Sequence, residues 1–300
     1  MNLNESSVAS VLSVDEAKPT LWRAADGTEF ARIPAGPFIY GPEETYERLA
    51  QAPAPRPRQT LELDTFHLAV LPVTFAEWRS FLDATSFRWG GAWWAIDNGL
   101  RPRIPFLGRK LAPVRDYRPA MARYPIVDVS QTEALAYCEW LSARIGRRCG
   151  LPNEAQWEKA ARGPDGRPYP WGDEKPRPEI QWQRRFPVGL ETYLYSLVVP
   201  PRRAWANAGW YWRIGATMPV GAIPENVSPY GCRDMAGNIW EWTTSVYNPQ
   251  FSRDFHVVKG GSWGYSIHHT RLNVRSACSV TMPSRDYRAQ GTGFRVVIFD

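Results

Sequence analysis

The chain has little lysine and no long apolar run. Only five of its 36 basic side chains are lysine, at Lys18, Lys110, Lys159, Lys175 and Lys259. A stretch of about 18 apolar residues that could span a bilayer is absent, and residues 1–30 lack the basic start and apolar core of a signal peptide. We therefore expect a cytoplasmic protein that does not insert into a membrane, and display at a surface would need another export route.

Cysteine is also scarce. The four cysteines are widely spaced, without a CxxC pair or the spacing of a zinc site. Such a set is expected to be free and reduced. Its members are Cys138, Cys149, Cys232 and Cys278.

A dense basic stripe is absent as well. The net charge of +6 comes mainly from arginine, whose planar guanidinium pairs with carboxylates and stacks on aromatic rings. Short clusters such as Arg202 and Arg203 are isolated from one another. A nucleic-acid-binding surface favours a continuous stripe, so no nucleic-acid partner is expected.

Aromatic residues and proline, by contrast, are abundant. The chain has 15 Trp, 13 Tyr and 27 Pro, which predicts many irregular segments held in place by buried rings. No tandem repeat or low-complexity linker divides the chain. We predict a flexible leader over residues 1–27 and one domain over residues 28–300.

Three helices are predicted by the same local signal, a capping side chain three residues before a Glu or Gln that reciprocates. The pairs are Thr74 with Glu77, Ser130 with Glu133, and Asn153 with Gln156. The second helix should run over residues 131–145 and stop at Gly146, and the third should stop at Gly163.

Strands are predicted on both sides of these helices. Residues 32–41 are typical of a strand broken by a Pro-Ala-Gly turn, and residues 61–70 alternate as a second strand. Later strand-like runs cover residues 256–263 and 293–299. After Gly163 no sustained helical period is present.

Separated motifs follow one another in a recognisable order along residues 28–300. They are Ile33-Pro34-Ala35-Gly36, Pro72-Val73-Thr74, Tyr124-Pro125-Ile126-Val127, Leu151-Pro152-Asn153-Glu154-Ala155-Gln156-Trp157-Glu158, Tyr169-Pro170-Trp171-Gly172, Gly237-Asn238-Ile239-Trp240-Glu241-Trp242, Gly260-Gly261-Ser262-Trp263 and Gly293-Phe294-Arg295. Together they resemble the sulfatase-modifying-factor family, which includes formylglycine-generating enzyme. The resemblance implies an α+β, C-type lectin-like fold: a few capped helices around a small central sheet, with much irregular structure. It also places the last two motifs in that sheet and the segment between them on the functional surface.

The chemistry of that enzyme needs two cysteines that this chain lacks. The resemblance implies a copper-binding pair just after Gly-Gly-Ser, and copper(I) requires soft thiolates. Counting from Gly260, the matching positions here are Tyr265 and Thr270. We therefore expect no formylglycine-generating activity and assign no catalytic residue.

A second catalytic branch of the family, the sulfoxide synthases, uses an iron site of clustered histidines. Here His67 and His256 are isolated in strand-like segments, where a structural role is expected. His268 and His269 are adjacent, so in an extended segment they would point to opposite faces. An iron enzyme is disfavoured, and a site completed by a partner stays open.

Asn238 and Glu241 match residues that help to hold a structural calcium ion in this family. Calcium takes about six to eight oxygen ligands, so loop carbonyls would have to complete the set. A hydrogen-bonded loop is the alternative. A further calcium site of the family should follow Asn207, but residues 208–219 contain no carboxylate. No other cofactor is expected.

Residues 264–281 follow neither helical nor strand periodicity. They contain no Lys, Glu, Gln, Met or Trp, the types that free replacement of both adenines in an AAC or AAT codon cannot produce. With its flanking motifs, this stretch resembles the variable proteins of diversity-generating retroelements, whose lectin-fold surfaces undergo massive sequence variation. The resemblance implies a variable region over residues 263–293. The candidate ligand-binding positions are Gly264, Tyr265, Ser266, Ile267, His268, His269, Asn273, Cys278, Ser279, Val280, Thr281, Asp286 and Tyr287.

These features predict a non-enzymatic protein that binds a protein or glycan ligand through a diversified C-terminal surface. An ordinary loop of a degenerate family member is the alternative interpretation of the segment. A metal-dependent oxidoreductase and a structural subunit of a larger complex are the alternative functions. Neither the ligand nor the oligomeric state follows from the sequence.

Overall fold

A computed structural model describes residues 19–41, 58–90, 119–174, 217–246, 256–262, 279–282, 284–288 and 291–299. The helices in these ranges are α1 (Phe75–Thr85), α2 (Gln131–Ile145) and α3 (Glu154–Arg162), with a 3-10 turn at Pro119–Met121. The strands are β1 (Leu21–Arg23), β2 (Glu29–Ile33), β3 (Gly36–Tyr40), β4 (Gln59–Leu63), β5 (Phe66–Ala69), β6 (Cys149–Gly150), β7 (Trp240–Val246), β8 (His256–Lys259), β9 (Ser279–Met282), β10 (Thr292–Gly293) and β11 (Val297–Phe299).

The described strands form three small sheets. One has the order β1-β2-β5-β11-β6, the second has the order β10-β7-β8-β9, and β3 and β4 form a separate pair. Strand β10 runs parallel to β7, and the other pairings among these strands are antiparallel. The mixture of short strands and few helices confirms the predicted α+β class.

All three helices begin where the capping boxes predict. The side chains of Thr74, Ser130 and Asn153 each accept a backbone N–H from the third helical residue, whose own side chain bonds back to the cap. Helix α2 covers residues 131–145 as predicted and ends at Gly146 in the left-handed conformation. Helix α3 ends at Gly163.

An aromatic core joins α1 and α2 to the end of the chain. The rings of Trp78 and Tyr137 stack with centroids 5.8 Å apart, and Phe294 packs edge-on to both, at 6.0 and 5.4 Å. All three side chains are buried. Phe294 therefore packs against both helices, which gives the Gly-Phe-Arg motif a structural role in the core.

Two sequence predictions about strands and the leader are wrong. Residues 61–70 do not form one strand, because the strand is interrupted at Asp64 and Thr65, where the chain passes from β4 to β5 in a different sheet. The hydroxyl of Thr65 accepts the N–H of Ala35 at this interruption. Residues 21–23, assigned to the flexible leader, form strand β1, which pairs with β2. Residues 1–18 lie outside the described ranges.

A buried ion pair links β7 to the last segment of the chain. Arg295 donates to both carboxylate oxygens of Glu241, at 2.6 Å from Nε and 2.7 Å from Nη2. The indole N–H of Trp157 adds a third bond to Glu241 at 2.6 Å. Arg295 also donates to backbone carbonyls of Ala69 and Val70. Because these charges are fully buried, each stabilises the fold only while its partner is present.

A second buried cluster lies close to the same indole ring. Lys259 Nζ is 2.9 Å from Glu158 Oε2, and Arg162 Nη1 is 2.6 Å from Glu158 Oε1. The ammonium of Lys259 also lies 5.8 Å from the centroid of the Trp157 ring. The two basic groups lower the pKa of Glu158 against the opposing effect of burial. Helix α3 is therefore attached to β8 by charge as well as by packing.

Removing one charge of the first pair should strongly destabilise the protein. We expect Glu241→Gln to reduce the free energy of unfolding by about 3–5 kcal/mol, because Arg295 would be left buried without a counter-charge. Urea denaturation measures this. The control is Asp83→Asn, which breaks the exposed pair with Arg79 and should cost less than about 1 kcal/mol. Equal losses in the two variants would contradict the assigned role.

Asp234 predicts a dependence of stability on pH. It is 5% exposed and accepts the N–H of Gly221, and burial raises its pKa from 3.8 to about 6. The folded state therefore binds a proton more tightly than the unfolded state, so stability due to protonated Asp234 is lost as pH rises from about 4 to 6. Asp234→Asn should remove a loss on the order of 3 kcal/mol. Denaturation midpoints of both proteins at pH 4.5 and pH 7 test this, and parallel pH profiles would contradict it.

Candidate functional site

The candidate surface begins where β8 ends. Gly260 follows Lys259 with φ +98°, and a Cβ there would lie 3.2 Å from the ring of Trp157. Its carbonyl accepts the N–H of Gly237 at 2.7 Å. Only glycine combines this backbone conformation with so close an approach. The chain therefore leaves β8 on a fixed path to Ser262.

The surface ends at a point that touches its beginning. A Cβ on Gly291 would lie 2.3 Å from Ser262 Oγ, so the backbone at 291 packs directly on the Ser262 side chain. The carbonyl of Gly291 accepts the N–H of Trp240 at 2.7 Å. At Gly293 a Cβ would meet the carbonyl oxygen of Ile126 at 2.0 Å. The residues that flank 263–290 therefore lie next to each other and are tightly packed.

Part of this segment forms a strand. Residues 279–282 make β9, in which Ser279, Val280 and Thr281 pair with Lys259, Val258 and Val257 of β8. Residues 279–281 therefore form part of a strand although their sequence shows no strand periodicity. Their pairing partner is distant in the chain, so local periodicity did not reveal it.

Most candidate ligand-binding positions lie outside the described residues. These are Gly264, Tyr265, Ser266, Ile267, His268, His269, Asn273 and Cys278, and Thr270 lies there too. Their assignment as ligand contacts stays a prediction.

The last two candidate positions lie on a turn that contacts α2, here called the 284–288 turn. Asp286 is exposed, but its carboxylate accepts the hydroxyl of Thr132 at 2.6 Å. Tyr287 is 47% exposed. Arg288 forms an ion pair with Glu133 at 2.7 Å. Thr132 and Arg288 were not singled out from the sequence, and Glu133 was recognised only as a capping residue.

Asn238 and Glu241, the candidate calcium ligands, lie at the start of β7 with their side chains bonded to protein. The amide of Asn238 exchanges two hydrogen bonds with the backbone of Met218, at 2.9 and 3.2 Å. Glu241 is committed to Arg295 and Trp157. A calcium ion on this carboxylate would have to replace Arg295, so the contacts fit a hydrogen-bonded loop better. The calcium site stays a prediction.

Metal-binding side chains are not clustered in the described part of the chain. No group of three or more His, Cys, Asp or Glu residues there could hold an ion. His67 lies in β5 and His256 in β8, in different sheets. Cys138, Cys149 and Cys232 are free. Burial raises the pKa of the Cys232 thiol to about 11, which disfavours the thiolate that a soft metal needs.

Helices in the described ranges are too short and too polar to cross a membrane. The longest of these helices, α2, has 15 residues.

Comparisons with known proteins give one consistent family. Residues 18–299 match the sulfatase-modifying factor enzyme 1-like domain. The chain is 28% identical to inactive C-alpha-formylglycine-generating enzyme 2 of Mus musculus, over 84% of this chain and 81% of the relative. It is 31% identical to formylglycine-generating enzyme of Mycobacterium tuberculosis, over 76% and 77%. It is also 30% identical to hercynine oxygenase of Mycolicibacterium smegmatis, over 81% of this chain but 56% of the relative.

Solved structures share the fold. PvdO from Pseudomonas aeruginosa matches with a TM-score of 0.65 at 21% identity, over 94% of this chain and 98% of the other. Variable protein 1 of Treponema denticola matches with a TM-score of 0.54 at 17% identity, over 93% and 98%. The recognition of this fold from the ordered motifs is thereby confirmed. The chain belongs to the sulfatase-modifying-factor family, with a fold of the formylglycine-generating-enzyme type that variable proteins also use.

Proposed function

We propose that this protein is a non-enzymatic ligand-binding protein that presents a diversified surface between Trp263 and residue 293. The contact between Ser262 and Gly291 is the observation that carries the proposal. A segment whose two ends meet on a rigid scaffold can change its side chains without moving the scaffold, as binding loops on other folds do.

The scaffold under this segment is well suited to that role. Val257, Val258 and Lys259 on the entry side are fully buried, as are Phe294 and Arg295 on the exit side. Side-chain changes between these two anchors would leave the aromatic core and both ion pairs unchanged. Variation and stability are therefore separated along the chain.

The composition of the segment supports recognition of a macromolecule. Residues 264–281 combine Tyr, His, Ser and Asn, types that supply rigid amphipathic area and adaptable hydrogen bonds in binding loops. A protein or glycan ligand fits this composition better than a small metabolite. Similarity to a variable protein supports the scaffold, and similarity to an inactive relative shows that this family includes proteins without the activity.

A metal-dependent oxidoreductase is the second candidate, because two relatives at 30–31% identity are named as enzymes. Against it stand Tyr265 and Thr270, which occupy the positions where the motif places the copper-binding cysteines. The proposal includes a cytoplasmic location and requires no cofactor, and a structural calcium ion at Asn238 and Glu241 stays an untested prediction. No nucleic-acid partner is proposed.

Diversification has a direct test in the DNA around the gene. We expect a near-identical repeat of its 3′ end, close to a reverse-transcriptase gene, with AAC or AAT at the codons of the variable positions. Absence of the repeat, or identical residues at these positions in every related copy, would refute diversification.

Substitutions in the segment should be tolerated by the fold. We expect the combined variant Tyr265→Ala, His268→Ala and His269→Ala to change the free energy of unfolding by less than about 0.5 kcal/mol per site. The control Ile239→Ala, at a buried position, should cost about 2–5 kcal/mol. A loss in the triple variant as large as in the control would place these side chains in the core.

The enzymatic alternative is tested with a cysteine-containing sulfatase peptide. We expect no conversion to formylglycine by mass spectrometry after incubation with copper and oxygen, because neither Tyr265 nor Thr270 supplies a thiolate. The Mycobacterium tuberculosis formylglycine-generating enzyme serves as the positive control. Conversion at a comparable rate would establish the enzyme, and retained iron or copper lost on mutation of His268 or His269 would point the same way.

A further inference from the structure

Several donors from separate parts of the chain meet on one carboxylate at the start of α2. Glu133 Oε2 accepts the N–H of Ser130 at 2.8 Å and Nε of Arg288 at 3.1 Å. Its Oε1 accepts Nη2 of Arg288 at 2.7 Å and the N–H of Gly90 at 3.3 Å. The Glu133 side chain is 6% exposed. A capping box needs only the first of these bonds, so the remaining three serve another purpose.

The guanidinium of Arg288 fits a space that glycine leaves open. A Cβ on Gly90 would lie 2.6 Å from Nη2 of Arg288 and 2.9 Å from its Cζ. Paired bonds between Arg and a carboxylate fix direction as well as distance. Glu133 therefore holds Arg288 in one orientation against the backbone of Gly90.

The 284–288 turn has two more attachments to α2. Thr132 Oγ1 donates to Asp286 at 2.6 Å, and the N–H of Thr132 donates to the carbonyl of Arg285 at 3.3 Å. Together with the Arg288 pair, they attach both halves of the turn to the first helical turn. The backbone on either side of Tyr287 is therefore held against a rigid element.

Tyr287 nevertheless points its ring into solvent. Its own N–H donates to the carbonyl of Ser284 at 3.1 Å, and the N–H of Asp286 donates to the Ser284 hydroxyl at 3.1 Å, so the turn is closed internally. The residue is 47% exposed, and it is one of the few large hydrophobic residues that are exposed in the described ranges. An exposed tyrosine on a fixed backbone loses little entropy on binding and is a common source of interface energy.

We propose that Glu133 and Arg288 are positioning residues that hold Tyr287 as a contact of the ligand-binding surface, and that Asp286 is an anchor rather than a variable contact. This inference rests on the proposed function, because it names the fixed side of that same surface. The partner it favours is a protein, since a single exposed tyrosine is suited to a pocket on a protein surface.

The contacts of Thr132 and Glu133 with the 284–288 turn are here called the clamp. Hydrogen exchange in the intact chain tests the clamp without a ligand. Gly90→Ala should displace Arg288 from Glu133 while leaving both charges in place, and Arg288→Gln removes the cation. In each variant the amides of Asp286 and Tyr287 should exchange about tenfold faster, because their turn loses its attachment. Arg288→Lys, which keeps one charged bond, should restore part of the protection. Glu133→Gln keeps a capping side chain and should behave like Arg288→Gln.

Matched controls separate positioning from loss of stability. Arg79→Gln removes an exposed arginine of similar pairing on α1 and should leave exchange of residues 284–288 unchanged. Because Glu133 is buried, loss of its partner will also lower the unfolding midpoint, so exchange of residues 284–288 is compared with that of core amides in the same variant. Unchanged exchange in Gly90→Ala and Arg288→Gln would overturn the clamp, and a uniform rise across the whole core would reduce it to a stability effect.

Related gene copies test the role of Asp286. We expect Asp286, Arg288 and Glu133 to be the same in every copy, even where residues 264–281 differ. Variation at Asp286 would overturn its assignment as an anchor. If the copies show no diversification while the exchange results hold, the proposed function fails and the clamp stands.

Discussion

Trp157 contacts a member of each of two buried ion pairs, and the arrangement of the sheets depends on these contacts. Its N–H binds Glu241, which is paired with Arg295, and its ring faces Lys259, which is paired with Glu158. The strands joined in this way are only two to seven residues long in the described ranges. Such short pairings fix register weakly, so buried charges with a unique partner supply specificity that the backbone ladders lack.

The same contacts of Trp157 determine how the chain reaches its candidate surface. Lys259 ends β8, Gly260 passes against the Trp157 ring, and Ser262 then meets Gly291. On the return, Arg295 enters the first ion pair soon after Gly293 packs on Ile126. Entry and exit are therefore set by interactions on the buried side of the fold.

Local signals in the sequence were reliable where the physics is local. The capping boxes at Thr74, Ser130 and Asn153 predicted three helix starts, because cap and partner lie three residues apart. The ordered motifs predicted the fold for a different reason, since a resemblance carries information about distant packing. Strand β9 escaped prediction because its partner β8 lies beyond a long intervening segment.

The candidate site shows the same division between local and distant information. Glu241 was interpreted as a calcium ligand from its motif, whereas its partner Arg295 lies 54 residues further on. The second role of Glu133 depends on Arg288, 155 residues away, and no pattern links the two. Composition identified residues 264–281 as unusual, but it could not show which neighbours hold the flanking turn in place.

The contact between Ser262 and Gly291 also bears on length. When the two ends of a segment already touch, the scaffold sets no span that the segment must bridge. Doubling the length of such a loop costs only about 0.6 kcal/mol of closure entropy. Strand β9 and the 284–288 turn are attached to β8 and α2, so this tolerance of insertions and deletions applies to residues 263–278, whose flanks are also held close by the pairing of Ser279 with Lys259. The length of that stretch is therefore as free to vary as its side chains.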